Sequence, residues 1–167
     1  MHYRRWNTSV RISNESIRQL ATARGQRMRR EKIAVIGWGA MARALNHSLE
    51  RGEDGLRFGA ALVRSPGEIA PGIRAFTSVD ELLAWGPSLV VECAGHAAVE
   101  QHVPALLEAG VPVVLVSIGA LADVALRNRL AAIHSRPGLL TLVPGAIGGL
   151  DALHAARLAG LDEVVYS

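Results

Sequence analysis

Lys32-Ile-Ala-Val-Ile-Gly37-Trp-Gly39-Ala-Met-Ala42 is the stretch that decides the fold. Its apolar run reads as a buried strand, its two glycines as a turn, and the residues from Ala40 onward as the start of a helix. Gly37 lets the chain leave the strand sharply, Gly39 carries no side chain to block an approaching phosphate, and Ala42 lets the helix pack closely. The helix N-terminus then offers free N–H groups and the positive end of its dipole. A GxGxxA turn of this kind grips a dinucleotide pyrophosphate, but the same turn also occurs where nothing binds. The rest of the chain has to decide between the two.

From residue 32 onward, short β-branched apolar runs alternate with longer helical patterns, the signature of βαβ units in a parallel sheet. Strands are expected near 32–36, 57–63, 73–76, 88–92, 112–116 and 139–143, with helices over about 40–51, 79–85, 97–109, 121–134 and 150–159. Thr77-Ser78-Val-Asp80-Glu81 starts the second helix with capping hydroxyls and acids in the first turn. Gly52, Gly86, Gly110 and Gly138 punctuate helix-to-strand junctions. The fold class is α/β, a doubly wound parallel sheet of the Rossmann type, in which ligands sit beyond the C-terminal strand ends. Those ends read Gly37-Trp-Gly39, Val63-Arg64-Ser65, Cys93-Ala-Gly95-His96, Ser117-Ile-Gly119-Ala120 and Pro144-Gly145-Ala-Ile-Gly148-Gly149. Five ends built from small residues make one shared crevice the better reading than five unrelated turns.

Each end has an expected task. An acid at the end of the second strand would hold a ribose 2′-hydroxyl and repel a 2′-phosphate, but Val63, Arg64 and Ser65 stand there. A guanidinium and a hydroxyl suit a phosphate, so NADP is expected beside NAD, the alternative being a solvated loop arginine. His96, where the fourth strand meets its helix, is read as a cofactor contact or a helix-start residue rather than a general base. His102 and His154 fall on helices as surface or interface residues. Cys93 has no partner base at suggestive spacing and reads as a small packing residue. Glu92 is an acid inside an apolar strand, where burial without a partner is costly, so it is expected to accept hydrogen bonds from backbone or cofactor. No HxxE, HExxH or CxxC spacing supports a metal site.

Charge is unevenly spread. The 167 residues have a net charge of +3 and an isoelectric point near 9.7, which alone would suggest nucleic acid. Residues 1–32, however, hold nine of the 18 basic residues against two acids, and the remainder carries nine basic against 13 acidic residues, a net −4. The basicity therefore belongs to an appendage, residues 1–31, and not to a nucleic-acid-binding face. That appendage reads as a solvated extension, as a partner- or surface-binding helix, or as an arginine-rich targeting leader. The longest apolar runs are strand-length, which speaks against a membrane span. The single Cys93 and the lack of a signal-peptide core point to the cytoplasm.

The strings Val91-Glu-Cys-Ala-Gly-His-Ala-Ala-Val99, Ser117-Ile-Gly-Ala-Leu-Ala-Asp123, Pro144-Gly-Ala-Ile-Gly-Gly-Leu-Asp-Ala152 and Gly160-Leu-Asp-Glu-Val164 resemble, in order and spacing, the L-aspartate dehydrogenase family. The resemblance covers about residues 32–167. It implies an NAD(P)-dependent oxidation of L-aspartate to iminoaspartate that feeds NAD biosynthesis, by a Rossmann domain and a following α/β domain with the substrate and oligomer contacts. It also implies that Gly37, Gly39, Ala40 and Met41 cradle the pyrophosphate, and that Ala94, Gly95, His96, Ser117 and Gly119 line the path to the nicotinamide. Ala146 matches a family position that contacts the cofactor, while the family's catalytic histidine has no counterpart here. The expected organisation is a basic extension (1–31), a dinucleotide-binding domain (32–149), and a linking helix with the start of a truncated catalytic domain (150–167). Binding of dinucleotide without turnover is the consequence, with L-aspartate bound, and a homo-oligomer formed, only when the missing domain is present. Two alternatives stay open. One is a related amino-acid oxidoreductase of the homoserine dehydrogenase or dihydrodipicolinate reductase type. The other is a non-catalytic nucleotide-binding or interaction module.

Overall fold

The computed structural model describes residues 32–52, 56–67, 69–133 and 138–143. The basic extension, Ala146 and the expected helix over 150–159 lie outside the described residues. Six strands form one sheet: β1 (Ile33–Ile36), β2 (Phe58–Leu62), β3 (Arg74–Phe76), β4 (Leu89–Glu92), β5 (Val113–Leu115) and β6 (Leu140–Leu142). Their spatial order is β3-β2-β1-β4-β5-β6, and every pairing is parallel. The chain therefore winds outward in one direction from β1 to β3, then crosses back and winds the other way from β4. That reversal puts the topological switch point between β1 and β4, at whose C-terminal ends a doubly wound sheet opens a crevice.

Helices α1 (Ala40–Glu50), α2 (Val79–Trp85), α3 (His96–Glu108) and α4 (Val124–Ile133) make the crossovers. Strand alternation sends successive side chains to opposite faces, and two apolar clusters result. On one face Ala34, Ile36, Val90, Val113 and Leu115 pack with Leu82 of α2, Val99, Val103 and Leu106 of α3, and Leu126 and Leu130 of α4. On the other Ile33, Val35, Phe58, Val91 and Val114 pack with Ala42 and Leu45 of α1. Burial on both faces explains why β1 reads as an uninterrupted apolar run instead of an alternating one.

The expected single helix over 121–134 is split in the structure. A 3-10 turn over Ile118–Ala122 comes first, and α4 starts only after Asp123, whose Oδ1 accepts from the amides of Ala125 (2.7 Å) and Leu126 (3.1 Å). Aspartate in that role starts a helix in preference to continuing one. At α2 the capping signal holds: Ser78 Oγ accepts from Glu81 N at 3.2 Å, and the Glu81 carboxylate accepts from Ser78 N at 3.2 Å. This is a reciprocal capping box.

Candidate functional site

Backbone hydrogen bonds continue the sheet past the regular strands and bring the strand ends together. Gly37 N donates to Leu62 O (2.8 Å), Val63 N to Phe76 O (2.9 Å), Cys93 N to Ile36 O (3.0 Å), Val116 N to Glu92 O (3.3 Å) and Val143 N to Leu115 O (2.9 Å). The segments after β1, β2, β4 and β5 therefore start at a common level, as one shared crevice requires.

Gly37 occupies the switch point with φ +85°, and a Cβ built there would lie 2.8 Å from Ala94 Cβ. Both facts demand glycine: L-residues avoid that conformation, and the chain after β4 passes too close for a methyl. Gly39 differs. It is the N-cap of α1 in extended conformation, and a Cβ there would meet nothing within 4 Å among the described residues. Its missing side chain leaves open space at the helix end.

The helix N-termini differ in what occupies their amides. Ser78 and Glu81 satisfy α2 and Asp123 satisfies α4, whereas at α3 Glu92 binds the amides of Ala94 and Gly95 just ahead of the helix and no side chain among the described residues caps Gly95. At α1 no side chain among the described residues caps Gly39, and no acid lies in the first turn. Free N–H groups and the positive dipole end thus face the open space beside exposed Gly39, Ala40 and Met41. Met41 is 56% exposed, one of two large apolar side chains so placed among the described residues. These features fit an anionic group held by backbone amides.

Arg64 and Ser65 follow β2 and are both exposed. Across the switch point, Gly95 is the N-cap of α3 at φ +109°, and a Cβ there would also meet nothing within 4 Å among the described residues. His96 is the first residue of α3. Its ring reaches over the β5 end: a Cβ built on Gly119 would sit 2.6 Å from His96 Nε2. His96 and Gly119, 23 positions apart, are therefore one unit.

Glu92 is the last residue of β4, fully buried. Its Oε1 accepts from Ala94 N (2.7 Å), Gly95 N (2.8 Å) and Ser117 Oγ (3.0 Å), and its Oε2 from Ser117 N (2.9 Å). The expectation of a hydrogen-bonded acid holds, with backbone amides as its main donors. What sequence reasoning missed is that one acid binds two strand ends 25 residues apart, because spacing gives no register between β4 and β5.

Cys93 is half-buried. Desolvation, and then the adjacent Glu92 charge, push its thiol up to about 11, which keeps it protonated and unreactive near neutrality. His102 is half-buried within α3; its Nδ1 has no hydrogen-bond partner among the described residues, and burial lowers its pKa. A cavity of about 430 Å³ lined by Trp38, Arg43, Asn46, His47, Ile69 and Ala70 runs beside α1. Only Trp38 belongs to a strand-end segment, and the other lining residues lie on α1 or before β3. Among the described residues, no helix is long and apolar enough to cross a membrane, and no three His, Cys, Asp or Glu side chains cluster to hold a metal.

Residues 37–144 match the family model described as homoserine dehydrogenase, NAD binding domain. The chain is similar to the L-aspartate dehydrogenase of Cupriavidus necator, at 48% identity over 100 residues, 59% of this chain and 36% of that protein. It is 40% identical over 136 residues to L-aspartate dehydrogenase 1 of Bordetella pertussis, covering 81% of this chain and 53% of that one. The chain thus spans about half the length, or less, of the curated relatives it matches. Among solved structures, aspartate dehydrogenase from Thermotoga maritima superposes with a TM-score of 0.54 at 24% identity, covering 81% of this chain and 61% of that one. At that identity the likeness is one of fold.

Proposed function

The chain belongs to the family of NAD-binding domains described for homoserine dehydrogenase, and from that premise we propose that it binds NAD or NADP across the ends of β1, β2, β4 and β5. The observation that carries this reading is the uncapped N-terminus of α1 beside the open space at Gly39. Gly37, Gly39, Ala40 and Met41 take the pyrophosphate. Arg64 and Ser65 take the adenosine ribose and accept a 2′-phosphate, because no acid stands there to repel it. Ala94, Gly95, His96, Ser117 and Gly119 line the nicotinamide half; Ala146 is assigned to the cofactor on family resemblance alone. The bound nicotinamide supplies the hydride-accepting carbon. The chain's own part is to fix that ring against the ends of β4 and β5 and to shield one side of it from water.

We further propose that the reaction served is oxidation of L-aspartate to iminoaspartate, a cytoplasmic step that feeds NAD biosynthesis. The support is the naming of the relatives at 40% and 48% identity. Since the chain corresponds to about half of such a protein, residues 32–149 act as the nucleotide-binding unit, and substrate binding and oligomer contacts belong to an α/β unit that residues 150–167 begin. A second reading, an enzyme acting on homoserine, is favoured by the description of the matched family. Fusing this chain to the complementary half of the Bordetella pertussis relative and following nicotinamide reduction with L-aspartate and with L-homoserine separates the two. Turnover of L-aspartate is expected. Turnover of L-homoserine alone would overturn the substrate assignment.

A further inference from the structure

We propose that Glu92 is a positioning residue for the nicotinamide half of the dinucleotide. Its buried carboxylate clamps the ends of β4 and β5 in the single arrangement in which Ala94, Gly95 and Ser117 line that half of the crevice. The inference rests on the cofactor reading above, and it adds a residue that touches no ligand.

Glu92 stands in register with Ile36 of β1 and Leu115 of β5, both buried and apolar. The core at this level wants a hydrocarbon. A leucine would satisfy it and would leave the amides of Ala94, Gly95 and Ser117 unpaired, a penalty that a carboxylate with two acceptor oxygens removes. The acid is accounted for by the loops above the core. Three of its four donors are backbone amides, and the fourth is the Ser117 hydroxyl. The clamp therefore fixes main-chain position at both ends at once. It holds Gly95 at φ +109°, which sets where α3 starts and so where His96 meets Gly119. The remaining half of the crevice is built without Glu92: neither the glycine turn nor Arg64 and Ser65 donates to it. Ala94 is the clamp's one contact with the glycine turn, beside Gly37, so damage to the clamp is felt mostly at the nicotinamide end of the ligand.

Glutamine at this position presents an NH₂ to a backbone N–H, donor against donor, and Glu92→Gln loosens the clamp while keeping its volume. NADH and ADP-ribose differ only in the nicotinamide ring and its ribose, so their dissociation constants for the 167-residue chain, measured by calorimetry, separate contacts to that end from contacts to the rest of the dinucleotide. Glu92→Gln is expected to weaken NADH about tenfold or more, the size of one lost charge-assisted hydrogen bond, and to change ADP-ribose by less than about twofold. A merely structural acid lowers the melting temperature and shifts both ligands together or neither, and that result overturns the proposal. Ser117→Ala, which removes one of the four bonds, carries the same test if Glu92→Gln does not fold. A smaller loss confined to NADH is expected, and an equal effect on both ligands overturns the clamp. If the unaltered chain binds neither ligand, the cofactor reading fails instead.

Discussion

Replacing Gly37 and Gly39 by alanine, one at a time, separates what the turn does for folding from what it does for binding. At Gly37 two penalties add. An L-residue at φ +85° costs about 1–2 kcal/mol. The new Cβ would lie 2.8 Å from Ala94 Cβ and 3.1 Å from Ala94 Cα, about 1 Å inside ordinary carbon contact, and overpacking of that kind costs about 1–3 kcal/mol. Because an obstructing atom is main chain, the relief is a separation of the β1 and β4 ends. Gly37→Ala is thus expected to lose about 2–5 kcal/mol of the ~5–15 kcal/mol typical of a domain. At Gly39 the backbone is extended and a Cβ meets nothing, so the change costs only about 0.5–1 kcal/mol through a poorer N-cap. The methyl nevertheless enters the space through which a pyrophosphate reaches the amides of α1. Urea denaturation gives the stability and calorimetry with NADH and NADPH the affinity. The expected pattern is a large fall in stability for Gly37→Ala and, for Gly39→Ala, near-normal stability with at least about a tenfold loss of affinity. Equal stabilities for the two variants, or undiminished binding by Gly39→Ala, would show that the two glycines are not divided between folding and binding in this way.

Gly119→Ala is expected to cost little stability, since the atom in its way belongs to the turnable His96 ring, yet to weaken NADH binding by moving that ring; if the affinity loss persists unchanged in a His96→Ala background, the two are not coupled. Ser78→Ala removes the hydroxyl half of the capping box and is expected to cost about 1 kcal/mol by urea denaturation; a change under about 0.3 kcal/mol would show that the exposed cap adds nothing. Cys93, pushed up to about 11 from 9.0, should react with iodoacetamide in the folded protein far more slowly than in urea at about pH 8. Because its folded pKa lies above the unfolded one, its contribution to stability is intact below 9.0 and is lost as the pH rises toward about 11. Equal folded and unfolded alkylation rates at that pH would contradict its burial.

The parts of the fold that the sequence announces are those with local or two-sided signals. The run 32–36 is readable because both faces of β1 are covered, leaving no polar residue to obscure it, and Ser78 with Glu81 marks the start of α2 within four residues. The doubly wound order is accessible because parallel strands joined by crossover helices admit few topologies. Local signals fail where contacts are long-range. Asp123 reads as a helix interior until its side chain is seen capping α4. The Glu92 clamp and the His96–Gly119 contact depend on the register of β4 against β5, which neither residue's neighbours encode. Exposed Arg64 has no hydrogen-bond partner among the described residues, and its role rests on where β2 ends.

Titration of the 167-residue chain with NADH and NADPH, followed by nicotinamide fluorescence, bears most immediately on whether the strand-end crevice holds a dinucleotide. Saturable binding of one equivalent of at least one of them is expected, competed by ADP-ribose and weakened in Gly39→Ala. No saturable binding of either, or binding indifferent to Gly39→Ala, would contradict a dinucleotide site at the N-terminus of α1.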